Sequence, residues 1–198
     1  MIPACTLFVA MVLYRIVAGY FGAGHSWLWN FSPMVAIALC GPLIFPKRVA
    51  FILPLVILLG SDIILNAHFG AALVTGEMLA RYFVLALVAL LGLRLRKSRR
   101  VEVLLVASMV GSTGFYLVTN TASWLTTPGY AKTLLGWWQA LSVGLPGYPP
   151  TWLFFRNAMV SDAGFTLAFL GCLVLVRKAK PVAGVPASEP RSLMTHYC

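Results

Sequence analysis

The strongest constraint on this chain is a series of six apolar runs, at about residues 3–22, 32–46, 48–66, 75–93, 101–120 and 152–177, each closed by Gly, Pro or a cluster of charges. An α-helix rises about 1.5 Å per residue, so roughly 17 to 25 apolar residues carry it across a bilayer core. Five of the runs reach that length. The second, between Ser32 and Pro46, is short and must tilt, thin the bilayer or shelter among its neighbours. Hydrophobic residues make up 60% of the 198 and charged ones only 10%, more apolar than a soluble domain. The expected fold is therefore all-α: a polytopic membrane protein with a six-helix transmembrane domain over residues 1–180. The tail, 181–198, is rich in Pro, Ala and Ser and expected to be disordered.

Charge orients the bundle, because Lys and Arg flanking a span stay in the cytoplasm. Lys47 and Arg48 follow the second run, Arg94, Arg96, Lys97, Arg99 and Arg100 the fourth, and Arg177, Lys178 and Lys180 the sixth. Both termini are then cytoplasmic, and segments 23–31, 67–74 and 121–151 lie outside. The net charge of +10 reads as topology and attraction to anionic lipid of a cell inner membrane, not as a nucleic-acid surface. A cleaved signal peptide is not expected, since no Lys or Arg precedes the first run and Arg15 interrupts it.

Ionisable side chains inside a membrane are costly and usually face the bundle interior, a partner or a wet cavity. Arg15, Asp62, Arg81, Arg156 and Asp162 all fall in the outer half or near the middle of their runs. Asn30, Asn66, Asn120 and Asn157 follow the same gradient, beside Trp27, Trp29, Trp124 and Trp152. This outward-opening polarity gives a candidate substrate-binding set of His25, Trp27, Asn30, Asp62, Asn66, His68, Asn120, Trp124, Arg156, Asn157 and Asp162. Each has a structural alternative. Tryptophans gather at membrane interfaces anyway. Arg15 with Asp62, and Arg156 with Asp162, could be structural ion pairs. His25 and His68 could be loop histidines, and Glu77 with Arg81, four apart, a helix-supporting pair. Ser32 and Pro33 read as a helix start, with the serine as cap and the proline in the first turn.

The long outer segment contains KTLLGWWQALSVG (132–144), amphiphilic enough for a short interfacial helix that could act as a lid over the polar cluster or pack on lipid headgroups. GSDIILNAHF and VSDAGFTLAF each place Ser–Asp ahead of an apolar turn, a faint three-plus-three echo. No GxxxxGK[ST], HExxH, GxSxG or GxGxxG occurs, so enzymatic chemistry is not expected, nor is a cofactor. Cys5, Cys40, Cys172 and Cys198 show no metal-ligand spacing and are expected as free thiols.

The order NFSPMVAIALCG, a basic turn, LPLVILLGSDIILNAHFG, VTN and FFRNAMVSDAGFTLAF, over about residues 25 to 176, resembles a family of uncharacterised six-helix bacterial membrane proteins. That family is related to the substrate-binding S components of energy-coupling-factor vitamin transporters and to solitary cobalamin transporters. The resemblance implies an S-component-like bundle that captures a small molecule from outside through the loops between spans one and two, three and four, and five and six. Two features depart from it. The AxxxA docking spacing of S components is missing from the first helix, where Ala4 meets Phe8 and Ala10 meets Tyr14, and residues 67 to 76 lack the cobalt-binding cysteine of the cobalamin transporters.

The expected function is uptake of a vitamin-type substrate, a corrinoid among the candidates, or of another small polar molecule. The partners are then the substrate, the lipid bilayer and an energising module or larger membrane complex. The rival is an accessory or assembly subunit of such a complex, in which the polar cluster is structural. Topology is testable at once: a cysteine introduced at Thr127 is expected to react with an impermeant thiol reagent on intact cells or spheroplasts, and one at Ser98 is not. The reverse pattern overturns the orientation.

Overall fold

The computed structural model describes residues 2–21, 30–70, 72, 74–98 and 100–178, with side chains for all of these but 2–5, 8 and 176–178. Seven α-helices occur among them: α1 Ile2–Phe21, α2 Met34–Cys40, α3 Lys47–Phe69, α4 Gly76–Leu95, α5 Val101–Thr126, α6 Leu134–Leu141 and α7 Thr151–Lys178. The chain is a helical membrane protein. Lys47–Phe69, Gly76–Leu95, Val101–Thr126 and Thr151–Leu175 are long and apolar enough to cross a bilayer. In α1 the apolar stretch among the described side chains is Val9–Phe21.

The expected second span, 32–46, is corrected by the structure. It is a seven-residue helix followed by a 3₁₀ turn at Gly41–Leu43. At about 1.5 Å per residue those ten residues cover only half a bilayer core. All seven residues of α2 are buried, and α2 touches α3, α4, α5 and α7. It is a half-helix inside the bundle, sheltered by protein, which is how interrupted backbone is tolerated at membrane depth. The expected cap is also corrected: Pro33 occupies the cap position without a side-chain bond, and Ser32 is used elsewhere. The short helix expected within 132–144 is present as α6, whose Thr133 side chain accepts from the Gly136 N–H at 3.2 Å.

Local sequence explains the boundaries. Pro46, extended at φ −57° and ψ 151°, releases the chain into α3, and Gly70 ends it at φ 63°, a left-handed position where glycine carries no Cβ penalty. Thr75 caps α4 by accepting from Met78 N–H at 3.1 Å.

The helices are inverted relative to a soluble bundle. Ile52, Val56, Leu59 and Ile63 form an exposed row on α3, as do Leu79, Phe83, Leu87 and Leu90 on α4. Inward faces carry Ser61, Asp62, Ser108, Ser112, Asn157, Ser161, Asp162 and Thr166, all buried. With lipid as apolar as leucine, close packing and interhelical hydrogen bonds hold such a bundle. Thr166 donates to the Ser108 hydroxyl at 3.2 Å, joining α7 to α5. Gly92 lets α4 meet α2: a Cβ there would lie 2.7 Å from the Leu39 carbonyl oxygen and 2.8 Å from that of Ala38. Because both neighbours are backbone, neither can swing aside. Gly92→Ala is expected to lower the melting temperature in detergent, by about 1 to 3 kcal/mol of stability, whereas Gly164→Ala, with open space around it, is expected to change it little. Equal behaviour of the two variants would sink this packing account.

Candidate functional site

Arg15 on α1 reaches across the bundle and uses all three of its nitrogens. Nε donates to Ser61 Oγ at 2.7 Å, Nη1 to Ser32 Oγ at 3.0 Å, and Nη2 to Asp62 Oδ1 at 3.0 Å. One guanidinium thereby joins α1, α3 and the segment leading into α2. Arg81 on α4 approaches the other oxygen of Asp62 at 3.7 Å. Asp62 is thus flanked by two cations.

The segment before α2 is fixed from a second side. Asn30 takes φ 56°, a left-handed conformation that asparagine tolerates better than most residues. Phe31 follows and packs against Tyr14 and Phe165, with ring centroids 5.9 and 6.0 Å away. The Ser32 N–H donates to Ser161 Oγ at 3.0 Å, and that hydroxyl donates back to the Ser32 carbonyl at 2.8 Å. The next residue, Asp162, accepts through Oδ2 from Ser112 Oγ at 2.6 Å.

These groups form the narrow end of three cavities in series. The innermost, about 90 Å³, is lined by Arg15, Asn30, Ser32, Arg81, Asp162 and apolar neighbours. Asn30, Arg81 and Phe115 also line a second cavity of about 420 Å³, completed by Glu77, Thr119, Asn120, Ser123 and Phe154. Glu77, Asn120, Ser123 and Phe154 in turn wall a third, about 550 Å³, reaching Thr127, Tyr130, Tyr148 and Pro149 at the α6 end of the bundle. Burial, reinforced by the Glu77 carboxylate, holds the Tyr130 hydroxyl above its ordinary pKa, so it remains a neutral hydrogen-bonding group there. A groove of about 520 Å³ between α4 and α5 is instead walled by Leu79, Phe83, Leu117 and Leu125, on the apolar exterior.

Of the residues expected to bind substrate, the structure brings Asn30, Asn120 and Asp162 to these cavities, with Asp62 directly behind the two arginines. Others lie elsewhere. Asn66 donates to the Ala72 carbonyl at 3.3 Å, and His68 stacks on Tyr20 with centroids 4.1 Å apart, both at the α3–α4 turn. The Trp124 indole N–H donates to the Ala131 carbonyl at 2.8 Å and braces the loop before α6. Asn157 is buried and accepts from Arg156, whose guanidinium lies 5.6 Å above the Trp152 ring. The alternative pairing of Arg156 with Asp162 does not form, since residues six apart on a helix point about 120° away from one another. Nor do Glu77 and Arg81 pair: Glu77 accepts from Thr127 Oγ1 at 3.4 Å while Arg81 turns to Asp62. His25 and Trp27 lie outside the described residues.

Glu77, Phe115, Thr119, Ser123 and Phe154 belong to the cavity walls but not to the expected set. A signal for three of them exists in the spacing: Phe115, Thr119 and Ser123 recur every four residues and so share one face of α5. Among the described residues no three of His, Cys, Asp and Glu are grouped to hold a metal, and Cys40 and Cys172 are free thiols.

The chain belongs to DUF6580, a family of unknown function. Its family profile matches residues 1–184, nearly the whole chain and every residue of the three cavities. Neither a curated protein nor a solved structure matches.

The two arginines around Asp62 contribute unequally. Asp62 and Arg15 side chains are 5% and 15% exposed, while Arg81 is 35% exposed and farther away. Removing a buried partner strands a charge, at about 3 to 5 kcal/mol, whereas a loose, wetter pair is worth about 1 kcal/mol or less. Asp62→Ala is therefore expected to destabilise much more than Arg81→Ala in thermal unfolding. Equal losses would contradict this ordering.

Proposed function

We propose that this protein captures a small polar molecule at the outer face of a bacterial inner membrane for uptake, in the manner of an S component. The observation that carries this reading is the series of partly polar cavities running from the α6 end to Arg15, Arg81 and the buried Asp162. A purely structural ion pair needs no such approach. Here Arg81 and Asn30 each face two successive cavities, and Phe115 and Phe154 supply flat apolar walls between polar ones. This is the usual composition of a small-molecule site, apolar surfaces with a few placed polar groups.

The proposed arrangement has six crossings, five made by single helices and one by α2 together with the segment leading into it, with both termini cytoplasmic. The basic clusters at 47–48 and 94–100 support that orientation, which puts α6 and the wide cavity outside. Capture rather than chemistry is the activity we assign. Energy for release inward would come from a separate module or a gradient.

Native mass spectrometry of the gently purified protein tests this directly: a bound small molecule is expected, whereas stoichiometric partner subunits without one would favour the accessory-subunit reading. Asn30→Gly sharpens the test, because glycine keeps the left-handed backbone while removing the amide. Retention of the co-purified molecule is expected to fall about tenfold or more, the scale of one buried hydrogen bond and its stranded partner. Ser32→Ala is expected mainly to lower stability, since Ser32 serves Arg15 rather than the cavity alone.

A further inference from the structure

The two buried aspartates at the narrow end are not equivalent. Asp62 stands between two guanidiniums. Asp162, 2% exposed, forms no ion pair among the described residues, although Arg15 and Arg81 line the same small cavity. Its Oδ2 accepts from Ser112 and its Oδ1 has no hydrogen-bond partner, yet the residue lines the 90 Å³ cavity. Arg15 is not available to it, because Ser61, Ser32 and Asp62 engage all three nitrogens. A buried carboxyl group without a counter-charge takes up a proton unless something cationic joins it and keeps it ionised.

Resting on the capture reading above, we propose that Asp162 anchors the cationic end of the captured molecule, a small amine whose ammonium enters the inner cavity and donates to Oδ1. Size agrees. The 90 Å³ cavity holds about three waters at roughly 30 Å³ each, room for an ammonium but not for a ring. The body of the molecule then lies in the 420 Å³ cavity against Phe115 and Phe154. Charge agrees as well. Around the two cavities and directly behind them stand two guanidiniums, Arg15 and Arg81, and three carboxylates, Asp62, Asp162 and Glu77. A cation balances this set and an anion is opposed by it.

Three probes of one shape and different charge test the proposal: benzylammonium, benzyl alcohol and benzoate, titrated into the purified full-length protein by calorimetry and thermal shift. Benzylammonium is expected to bind at least about tenfold more tightly than benzoate, with benzyl alcohol between them. Benzoate first, equal binding, or no binding by any probe overturns the proposal, and this ranking needs no variant. Asp162→Asn is expected to abolish the preference, and a preference that survives it overturns the assignment to Asp162. Where asparagine prevents folding, Asp162→Glu replaces it: glutamate shifts the carboxylate by one methylene, so benzylammonium is expected to lose more affinity than benzyl alcohol, and equal losses overturn the assignment to Asp162. Stabilisation by sodium over potassium with no preference for benzylammonium would identify a metal-ion site and overturn the amine. If benzoate ranks first and the protein still carries a co-purified molecule that Asn30→Gly releases, this inference fails while the capture reading stands. If no probe binds and no molecule co-purifies, both fail.

Discussion

The guanidinium of Arg15 is the contact on which the rest of the site depends. Its three bonds, to Ser61, Ser32 and Asp62, tie the first helix to the third and to the segment that enters α2. In a low-dielectric interior each of those bonds is strong, and each lost partner is expensive. Because Arg15 is consumed in this way, Arg81 is left half-engaged at the cavity wall. A single structural ion pair thus creates the asymmetry that leaves one aspartate paired and the other facing the cavity without an ion pair.

The half-helix α2 carries the geometry. Its ten residues, with the 3₁₀ turn, are too few to span a bilayer, and they survive at depth because α3, α4, α5 and α7 surround them. Gly92 allows the approach of α4, against the Ala38 and Leu39 carbonyls. The start of α2 then falls inside the bundle, beside Asp162 and at the floor of the cavities. Ser161 holds that start in place by bonding both the N–H and the carbonyl of Ser32. Stability and site are therefore built from the same buried serines.

Some of this was legible from residues in order. Long apolar runs between charge clusters marked α1, α3, α4, α5 and α7 to within a few residues, except at the end of α5, which continues to Thr126. The amphiphilic stretch around Trp137 and Trp138 marked α6. The cost of burying charge drew attention to Arg15, Asp62, Arg81 and Asp162, and all four lie together at the narrow end. Arg156, singled out by the same rule, sits five residues into α7, where its long side chain reaches Trp152 and Asn157. Asn66, His68 and Trp124 shared the polarity gradient but close turns and brace loops.

The linear order of residues established what the solvent of this protein must be, because apolar runs of that length have no soluble resting place. It also established the polarity gradient along the helices, since side-chain chemistry and helical rise are local properties. What it left open was which charges meet. Partner choice depends on the rotation of each helix about its axis and on how closely small residues such as Gly92 and Gly111 let neighbours approach. Those are set jointly by all the helices in contact. Only the packed bundle gave Asp62 two arginines, gave Asp162 none, and turned Ser32 from a helix cap into a ligand of Arg15.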